Sequence, residues 1–193
     1  VTMGRNYLAG MSGKLRVDDL PFRASVQIET VTPSGAPSYV ADSANTATSL
    51  ATGTVTSMGR IGTDINDRDV ATIGERAIAA GFKVGLVTTS SLTDATPASF
   101  LTHVSARSCE GPEEVLGSTY YGIPQPACLA DARDNDGPGS IIEQLVRSGA
   151  SILLGGGRKF IEQTTIDNET VAAMAGRYRF RLVTSAVELT SAS

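Results

Sequence analysis

Apolar residues along this chain fall into short continuous runs that alternate with stretches of helical spacing. Residues 82–89, FKVGLVTT, form a mostly apolar run that is typical of a buried parallel strand. Residues 72–80 place Ile73, Ala77 and Ile78 on one face of a helix. The pattern predicts further helices at 2–8, 42–53, 96–107, 139–148 and 169–176, and further strands at 24–30, 150–154 and 179–183. Such alternation favours an α/β fold whose largely parallel central sheet is flanked by helices, as in an α/β/α sandwich.

The whole chain, residues 1–193, is predicted to form one domain. Its 193 residues, 41% of them apolar, are enough to bury one core. The sequence contains no internal repeat, low-complexity stretch or linker that would divide it. A long irregular insertion is predicted at about 108–138, where Pro, Gly and Tyr are frequent and both cysteines lie.

Charge and hydropathy argue against two kinds of partner. The formal net charge is −4, and Lys and Arg are scattered rather than clustered, so nothing indicates a nucleic-acid-binding surface. No apolar run approaches the roughly 20 residues of a membrane span. The first residues lack the layout of a signal peptide, and so we expect a mature, truncated or cytosolic chain.

The two cysteines, Cys109 and Cys128, lie in the same irregular segment. A pair of cysteines is compatible with a disulfide or with part of a zinc site. Zinc would need further Cys or His ligands nearby, and His103 is the one histidine of the sequence. We therefore favour a disulfide, which would indicate an oxidising compartment.

Residues 42–53, DSANTATSLATG, are unusually rich in small hydroxyl side chains. Asp42 is a good N-cap and Gly53 a good C-terminal stop, so Ser43 would occupy the first turn of a helix. Backbone N–H groups are unpaired there and the helix dipole is positive, which suits an anion or a serine alkoxide. A helix that is small on one face for close packing would explain the same residues.

A serine is a weak nucleophile unless a base or a metal activates it. His103 is the only histidine that could act on Ser43, but its place between Leu101 and Val104 in a predicted helix favours a packing or surface role. Ser43 also lacks the Gly-x-Ser-x-Gly context of a nucleophile elbow. The residues alone leave a Ser–His pair as an open alternative.

Asp94, Thr96 and Arg107 form a second group of candidates. Asp94 and Thr96 follow the predicted strand 82–89, at the strand end where ligands bind in open parallel sheets. A carboxylate and a hydroxyl suit a hard cation such as Mg²⁺, although a turn with Thr96 as the N-cap before Pro97 would account for both residues. Arg107 ends the predicted helix, where its guanidinium could fork onto a phosphate or face solvent.

Taken in order, these motifs resemble bacterial alkaline phosphatase. YVADSANTATSLATG is similar to the nucleophile segment of that family, and D-A-T-P-A and H-V-x-x-R continue the resemblance in the right order. GSIIEQLVRSGASILLGGGRKF also matches. The similarity extends over about residues 4–183. It implies metal-dependent hydrolysis of phosphate monoesters with release of inorganic phosphate.

The resemblance also implies a role for each candidate residue. Ser43 matches the serine that contacts a metal and is phosphorylated during turnover. Arg107 matches the arginine that binds phosphate, and Asp42 matches the acidic neighbour that holds this arginine. Thr96 matches a magnesium ligand, and Asp94 matches the carboxylate beside it that acts through metal-bound water.

Cofactors and surroundings follow from the same resemblance. The family uses two zinc ions and one magnesium ion, forms homodimers and is periplasmic or secreted, and Cys109 and Cys128 match a local disulfide. Most of the metal ligands of the family lie before the first residue of this sequence or after residue 193. We therefore expect an incomplete α/β domain that acts together with the remaining segment of the same enzyme.

The residues also allow two other functions. One is a metal-free serine hydrolase that uses Ser43 and His103. The other is a non-catalytic binding domain in which the hydroxyl-rich helix serves packing or binding.

Overall fold

Helices and short strands alternate along the computed structural model, which describes residues 19–22, 24, 27–120 and 122–191. The helices are α1 (Ser43–Thr52), α2 (Ile73–Ala79), α3 (Ala95–Ala98), α4 (Pro112–Gly117), α5 (Cys128–Asp131), α6 (Ile141–Arg147), α7 (Arg158–Ile161), α8 (Val171–Arg177) and α9 (Ala186–Thr190). The strands are β1 (Thr30–Val31), β2 (Pro37–Ser38), β3 (Gly85–Ser91), β4 (Thr119–Tyr120), β5 (Ile123–Pro124) and β6 (Ile152–Gly156). The predicted helix at 2–8 lies outside the described residues.

Strands β3 and β6 pair in parallel and confirm the α/β class. Their register places Leu86 opposite Leu153, and helices α3 to α6 lie in the connection between them. The other paired strands of the described residues, β1 with β2 and β4 with β5, form small antiparallel hairpins. The prediction that β3 is buried was wrong, since Val87 is 74% exposed. Leu86, next to it, is only 9% exposed. Successive side chains point to opposite faces of a strand, so within the described residues one face of β3 is covered here and the other is open.

The centre of the core is helix α6, which is buried around almost its whole circumference. Ile141 and Leu145 are fully buried four residues apart, and α6 packs against α8. Phe160 and Val171 belong to the same apolar cluster. Burial of each such side chain contributes about 1.5–3 kcal/mol, so this helix is the main anchor for the loops packed around it.

Local capping signals correctly predicted both ends of α1. Asp42 caps α1, and Gly53 ends it in the left-handed conformation with φ 76°. Thr72 and Glu75 form a reciprocal capping box at the start of α2. The predicted apolar face of α2 was wrong in one respect, because Ile73 is 59% exposed. The helix instead contacts the turn at Phe100 through Gly74, where a Cβ would overlap the Phe100 carbonyl oxygen.

The predicted helix 96–107 was wrong. Helix α3 contains only Ala95–Ala98, and its N-cap is Asp94 rather than Thr96. After a further turn the chain extends, and Val104 forms an antiparallel bridge with Ile61. His103 and Arg107 therefore do not lie on a helix, because the backbone groups around them bond to a distant segment instead of to each other.

Two predicted strands also differ from the structure. Of the described residues in 24–30, only Thr30 is in a strand, as part of the two-residue β1. Residues 179–183 form no strand, and Arg179 has a left-handed φ of 67° that interrupts extended backbone. The predicted helix 169–176 and strand 150–154 correspond to α8 and β6, displaced by one or two residues.

The segment 108–138 contains helices α4 and α5, the β4–β5 hairpin and a 3-10 turn at Arg133–Asn135. Cys109 and Cys128 form a disulfide with Cα atoms 5.4 Å apart, and both are fully buried. The predicted disulfide is thus confirmed in the structure, and zinc binding by this pair is not supported. None of the helices described here is long and apolar enough to cross a membrane.

We expect removal of the disulfide to destabilise the protein. The bridge joins residues 19 positions apart, and closing a loop of this length contributes about 3 kcal/mol to the free energy of unfolding. Urea denaturation of the Cys109→Ala/Cys128→Ala double variant of the complete protein should show a loss of that order. Reductant should destabilise the wild type and leave the double variant unchanged. Two freely alkylated thiols in natively purified wild type would contradict the bridge.

Candidate active site

The N-terminus of α1 presents Ser43 at an exposed first turn. The carboxylate of Asp42 accepts a hydrogen bond of 3.0 Å from the backbone N–H of Asn45. The Asn45 side chain accepts one of 2.9 Å from the Asp42 N–H in return. This capping box fixes the first turn, and Ser43 is the first residue of the helix, as the sequence predicted. Its hydroxyl therefore lies at the positive end of the helix dipole.

Arg107 reaches this helix end from a segment 64 residues away. Its Nη1 donates to Ser43 Oγ at 2.7 Å and to Asp42 Oδ2 at 3.3 Å. The side chains of Arg107 and Asp42 are only 20% and 14% exposed, so water screens this ion pair less than it would a surface pair. The structure thus brings together Asp42, Ser43 and Arg107.

Arg107 is positioned by two facing segments, residues 59–62 and 103–107, which we call the arginine ladder. The N–H of Arg107 donates to the carbonyl of Gly59 at 2.7 Å. Ile61 and Val104 exchange both backbone hydrogen bonds further along. The N–H of Gly59 donates to the Asp42 carboxylate at 3.2 Å. The arginine ladder is therefore tied at one end both to Arg107 and to the helix that carries Ser43.

The hydroxyl side chains of α1 hold this helix against the arginine ladder. Thr48 is fully buried, donates to the Arg60 carbonyl at 3.1 Å and accepts from the Gly62 N–H at 3.0 Å. The Asn45 amide donates to Thr30 Oγ1, which connects α1 to β1. The packing role considered for the helix is therefore real, and it operates together with the placement of Ser43.

His103 lies at the other end of the arginine ladder, away from Ser43. Its Nδ1 is 2.8 Å from the carbonyl oxygen of Gly62 and its Nε2 is 2.8 Å from Glu75 Oε1. A carbonyl and a carboxylate only accept, so both ring nitrogens must donate and the ring is an imidazolium. Both nitrogens are thereby engaged away from Ser43. The structure gives no support to a Ser–His pair.

The pKa values of both partners agree with this assignment. Burial by itself would lower the pKa of His103, but the hydrogen bonds to Glu75 and Gly62 and the charges of Glu75 and Asp69 raise it above its usual value. Burial likewise opposes ionisation of Glu75, but hydrogen bonds from Thr72 and His103 bring its pKa below the usual value. Both shifts favour an ion pair between the Glu75 carboxylate and the His103 imidazolium.

A second carboxylate supports the arginine ladder from the disulfide segment. Asp131 accepts from the N–H of Ser105 at 2.9 Å, and the Ser105 hydroxyl donates to Asp67 at 2.7 Å. Burial raises the pKa of Asp131 to about 6, and the charges of Asp67 and Asp69 add to this effect, while the bond from Ser105 opposes it. Sequence reasoning missed Asp131, Glu75 and Gly59, because their partners lie far away in the chain. Only the acidic run DINDRD, residues 64–69, hinted at a charged cluster.

Asp94 and Arg107 line one cleft of about 440 Å³, together with Glu110 and Lys159. The side chain of Asp94 makes no capping hydrogen bond to α3, and Thr96 on the first turn is exposed. Helices α1 and α3 pack together. Within the described part of the chain, no group of three or more His, Cys, Asp or Glu side chains forms a metal-binding set. Asp94 and Arg107 thus line the same cleft, and the metal roles of Asp94 and Thr96 remain predictions.

Comparison with known proteins identifies the family. A sequence model of the family "Alkaline phosphatase" matches residues 1–185. The chain belongs to the alkaline phosphatase family. Streptomycin-6-phosphate phosphatase of Streptomyces griseus is 38% identical over 100% of this chain and 42% of its own length. Alkaline phosphatase of Escherichia coli is 36% identical over 99% of this chain and 40% of its own length.

Solved alkaline phosphatase structures share the fold. A mutant of the enzyme from the Antarctic bacterium TAB5, with magnesium bound, is 25% identical with a TM-score of 0.66. The match covers 96% of this chain and 43% of that one. The chain thus spans about two fifths of the length of the relatives it matches.

The raised pKa of Asp131 makes stability depend on pH in a defined direction. The folded protein binds the Asp131 proton more tightly than the unfolded chain, in which the carboxyl titrates near 3.8. The stabilisation from protonated Asp131 is therefore complete below about pH 4 and is lost as pH rises through about 6. Asp131→Asn should be more stable than wild type at pH 7, and this advantage should vanish near about pH 4.

Urea denaturation of the complete protein across this pH range would measure the effect. Asp134→Asn, at an exposed carboxylate three residues further on, is the matched control and should track the wild type throughout. A difference between Asp131→Asn and wild type that does not change with pH would show that Asp131 titrates normally.

Proposed function

We propose that this chain supplies the nucleophile and the phosphate-binding arginine for hydrolysis of phosphate monoesters through a phosphoserine intermediate on Ser43. The observation that carries the proposal is the 2.7 Å hydrogen bond from Arg107 Nη1 to Ser43 Oγ at the N-terminus of α1. Membership of the alkaline phosphatase family supports the same reaction. Inorganic phosphate is then the product released in each cycle.

Binding and orientation follow from the groups around Ser43. A guanidinium presents paired N–H donors that match two oxygens of a phosphate. The first-turn N–H groups of α1 add positive potential where negative charge accumulates. Asp42 keeps the guanidinium beside Ser43 through the 3.3 Å contact. Such fixed charge around a transferring phosphoryl group is the main source of catalysis in phosphoryl transfer.

The proposed reaction has two covalent steps at Ser43. Ser43 Oγ loses its proton and forms a bond to phosphorus while the ester P–O bond breaks and the alcohol leaves with a proton. Water then attacks the phosphoserine, the Oγ–P bond breaks, Ser43 Oγ regains a proton from the attacking water, and inorganic phosphate departs. Arg107 cannot take the proton from Ser43, because a guanidinium stays protonated in proteins. Its part is to bind two non-bridging phosphoryl oxygens so that the phosphorus faces Oγ, with the leaving oxygen on the far side.

A divalent cation would stabilise the serine alkoxide and the leaving oxygen, which this chain's residues do not do alone. For magnesium, the residues fit in part: Asp94 and Thr96 offer hard oxygen donors at the start of α3, and the Asp94 carboxylate is not used as a cap. The family match and the magnesium-bound relative support this assignment.

For zinc, the described residues do not fit a complete site. The single histidine uses both ring nitrogens on Gly62 and Glu75, and the cysteines form a disulfide. Zinc sites are built mainly from such His, Cys and carboxylate ligands. Two zinc ions would therefore need ligands beyond those described here, with Ser43 as the contribution of this chain.

The proposal also covers the cellular location of the enzyme and its assembly. The buried disulfide supports a periplasmic or secreted location, where such bonds persist. The remaining segment of the enzyme and a homodimeric assembly, both implied by the resemblance, stay predictions. A non-catalytic binding domain is the less favoured function, because packing alone does not require Arg107 to contact Ser43.

Acid quenching should trap the phosphoryl group on Ser43. The complete protein is incubated with a labelled phosphate monoester in the presence of zinc and magnesium, quenched in acid and digested for mass spectrometry. We expect the label on Ser43 and its loss in Ser43→Ala. Ser49→Ala is the matched control on the same helix, since its hydroxyl only bonds to backbone carbonyls within the loop and helix. Phosphate on another residue would overturn the proposal.

Arg107→Lys should impair the reaction while the charge is kept. Lysine cannot reproduce the paired geometry, and loss of one charged hydrogen bond costs about 1.5–3 kcal/mol, or roughly 10- to 100-fold in kcat/KM. Steady-state kinetics and phosphate inhibition constants would measure the effect. Arg158→Lys, at an exposed surface position, should leave both unchanged. An Arg107→Lys enzyme with wild-type kcat/KM would exclude a phosphate-binding role.

A further inference from the structure

His103 connects three parts of the chain beside the arginine ladder. Its ring joins Gly62, on one segment of the ladder, to Glu75 at the start of α2. Its backbone N–H donates to the Gln144 side chain at 2.8 Å, and its carbonyl accepts from the same amide at 2.8 Å. Gln144 belongs to α6, the most buried helix. His103 thus fastens the ladder to the core of the domain.

Arg107 depends on this fastening because no helix supports it. Arg107 lies four positions after His103, and its backbone N–H is held by the carbonyl of Gly59. Gly62 lies at the opposite end of the same short segment and has a left-handed φ of 64°. Its carbonyl oxygen accepts the hydrogen bond from Nδ1 of His103. A Cβ at Gly62 would overlap the Thr102 carbonyl oxygen, so the two segments are in close contact at this end. A shift of one segment relative to the other would move Arg107 relative to Ser43.

We propose that His103 is a positioning residue for Arg107: its two ring donors lock the arginine ladder at one end, and the other end sets the guanidinium against Ser43 Oγ. The inference rests on the phosphate-binding role proposed above for Arg107. His103 does not touch the reacting atoms. It acts on phosphate binding through the arginine alone.

Protonation matters because only the imidazolium can donate at both nitrogens. The groups that face the ring are the Glu75 carboxylate from α2, the Gly62 carbonyl from the ladder and the more distant charge of Asp69 in the preceding loop. Together they outweigh burial and raise the pKa of His103. Both ring hydrogen bonds are therefore formed below the ordinary pKa of histidine. One of them is lost as pH rises through the raised pKa of His103 in the folded protein.

Two substitutions separate the two ring contacts. In His103→Asn the amide nitrogen takes the place of Nδ1 and can keep the bond to Gly62, while in His103→Gln it takes the place of Nε2 and can keep only the bond to Glu75. Because the Gly62 bond closes the ladder, His103→Gln should weaken inhibition by inorganic phosphate about tenfold, and His103→Asn by much less. The loss in kcat/KM should follow the loss in phosphate affinity.

A double-mutant cycle with Arg107 distinguishes positioning from general stability. In the Arg107→Ala background of the complete protein, His103→Gln should change the phosphate inhibition constant less than about twofold, because the residue through which it acts is gone. Val171→Ala, which removes buried volume from α8, is the control. It should lower the melting temperature and leave phosphate inhibition unchanged.

The pH profile gives an independent readout. The ratio of phosphate inhibition constants between His103→Gln and wild type should be largest at low pH. It should approach one as His103 loses its proton in the wild type, because the neutral ring keeps its single N–H towards the Glu75 carboxylate and loses the donor to Gly62. Glu75→Gln removes the charged partner, so the phosphate inhibition of this variant, measured by itself, should begin to weaken at lower pH than that of the wild type. This measurement does not need the His103→Gln protein to fold.

Two results would overturn the inference and can be told apart. If His103→Gln weakens phosphate binding equally with and without Arg107, the histidine is only structural and the proposed function is untouched. If Arg107→Ala binds phosphate as the wild type does, the proposed function itself is wrong and the inference falls with it.

Discussion

The arrangement around Ser43 depends on one carboxylate, that of Asp42. It caps α1 through the Asn45 N–H, accepts the Gly59 N–H and pairs with Arg107. These three donors come from the helix, from the turn that follows it and from a segment more than 60 residues away. A half-buried carboxylate is stable only when its oxygens are paired, and so each contact is needed by the others. The helix end, the arginine ladder and the arginine are thereby assembled as one unit.

This carboxylate also shapes the charge that a phosphate would meet. The positive guanidinium and the helix N-terminus both attract an anion, while Asp42 offsets part of that charge and keeps Arg107 from turning away. Full neutralisation would weaken phosphate binding, and an unpaired arginine would be mobile.

Small residues make the close approach of these segments possible. Gly62 allows residues 59–62 to lie directly against the backbone of Thr102, and the Thr48 hydroxyl bonds to both sides of the turn at Arg60 and Gly62. The crowding of hydroxyl groups along α1 thus has a structural use at Thr48 and Asn45 and a chemical use at Ser43. Glu75 of α2 and Asp131 of α5 then hold the arginine-bearing segment through His103 and Ser105.

Sequence alone determined the features that depend on neighbouring residues. The Asp42 cap and the Gly53 stop are local, and each formed where the pattern indicated. Ordered motifs also pointed to the family and to the trio Asp42, Ser43 and Arg107.

The tertiary structure decided how Arg107 reaches Ser43. Local signals favoured a helix through residue 107, but the N–H and carbonyl of Val104 bond to Ile61, more than 40 residues earlier. Propensity rules cannot anticipate a backbone pairing across such a distance, and the same reason hid Glu75 and Asp131, whose partners are brought to them only by the fold.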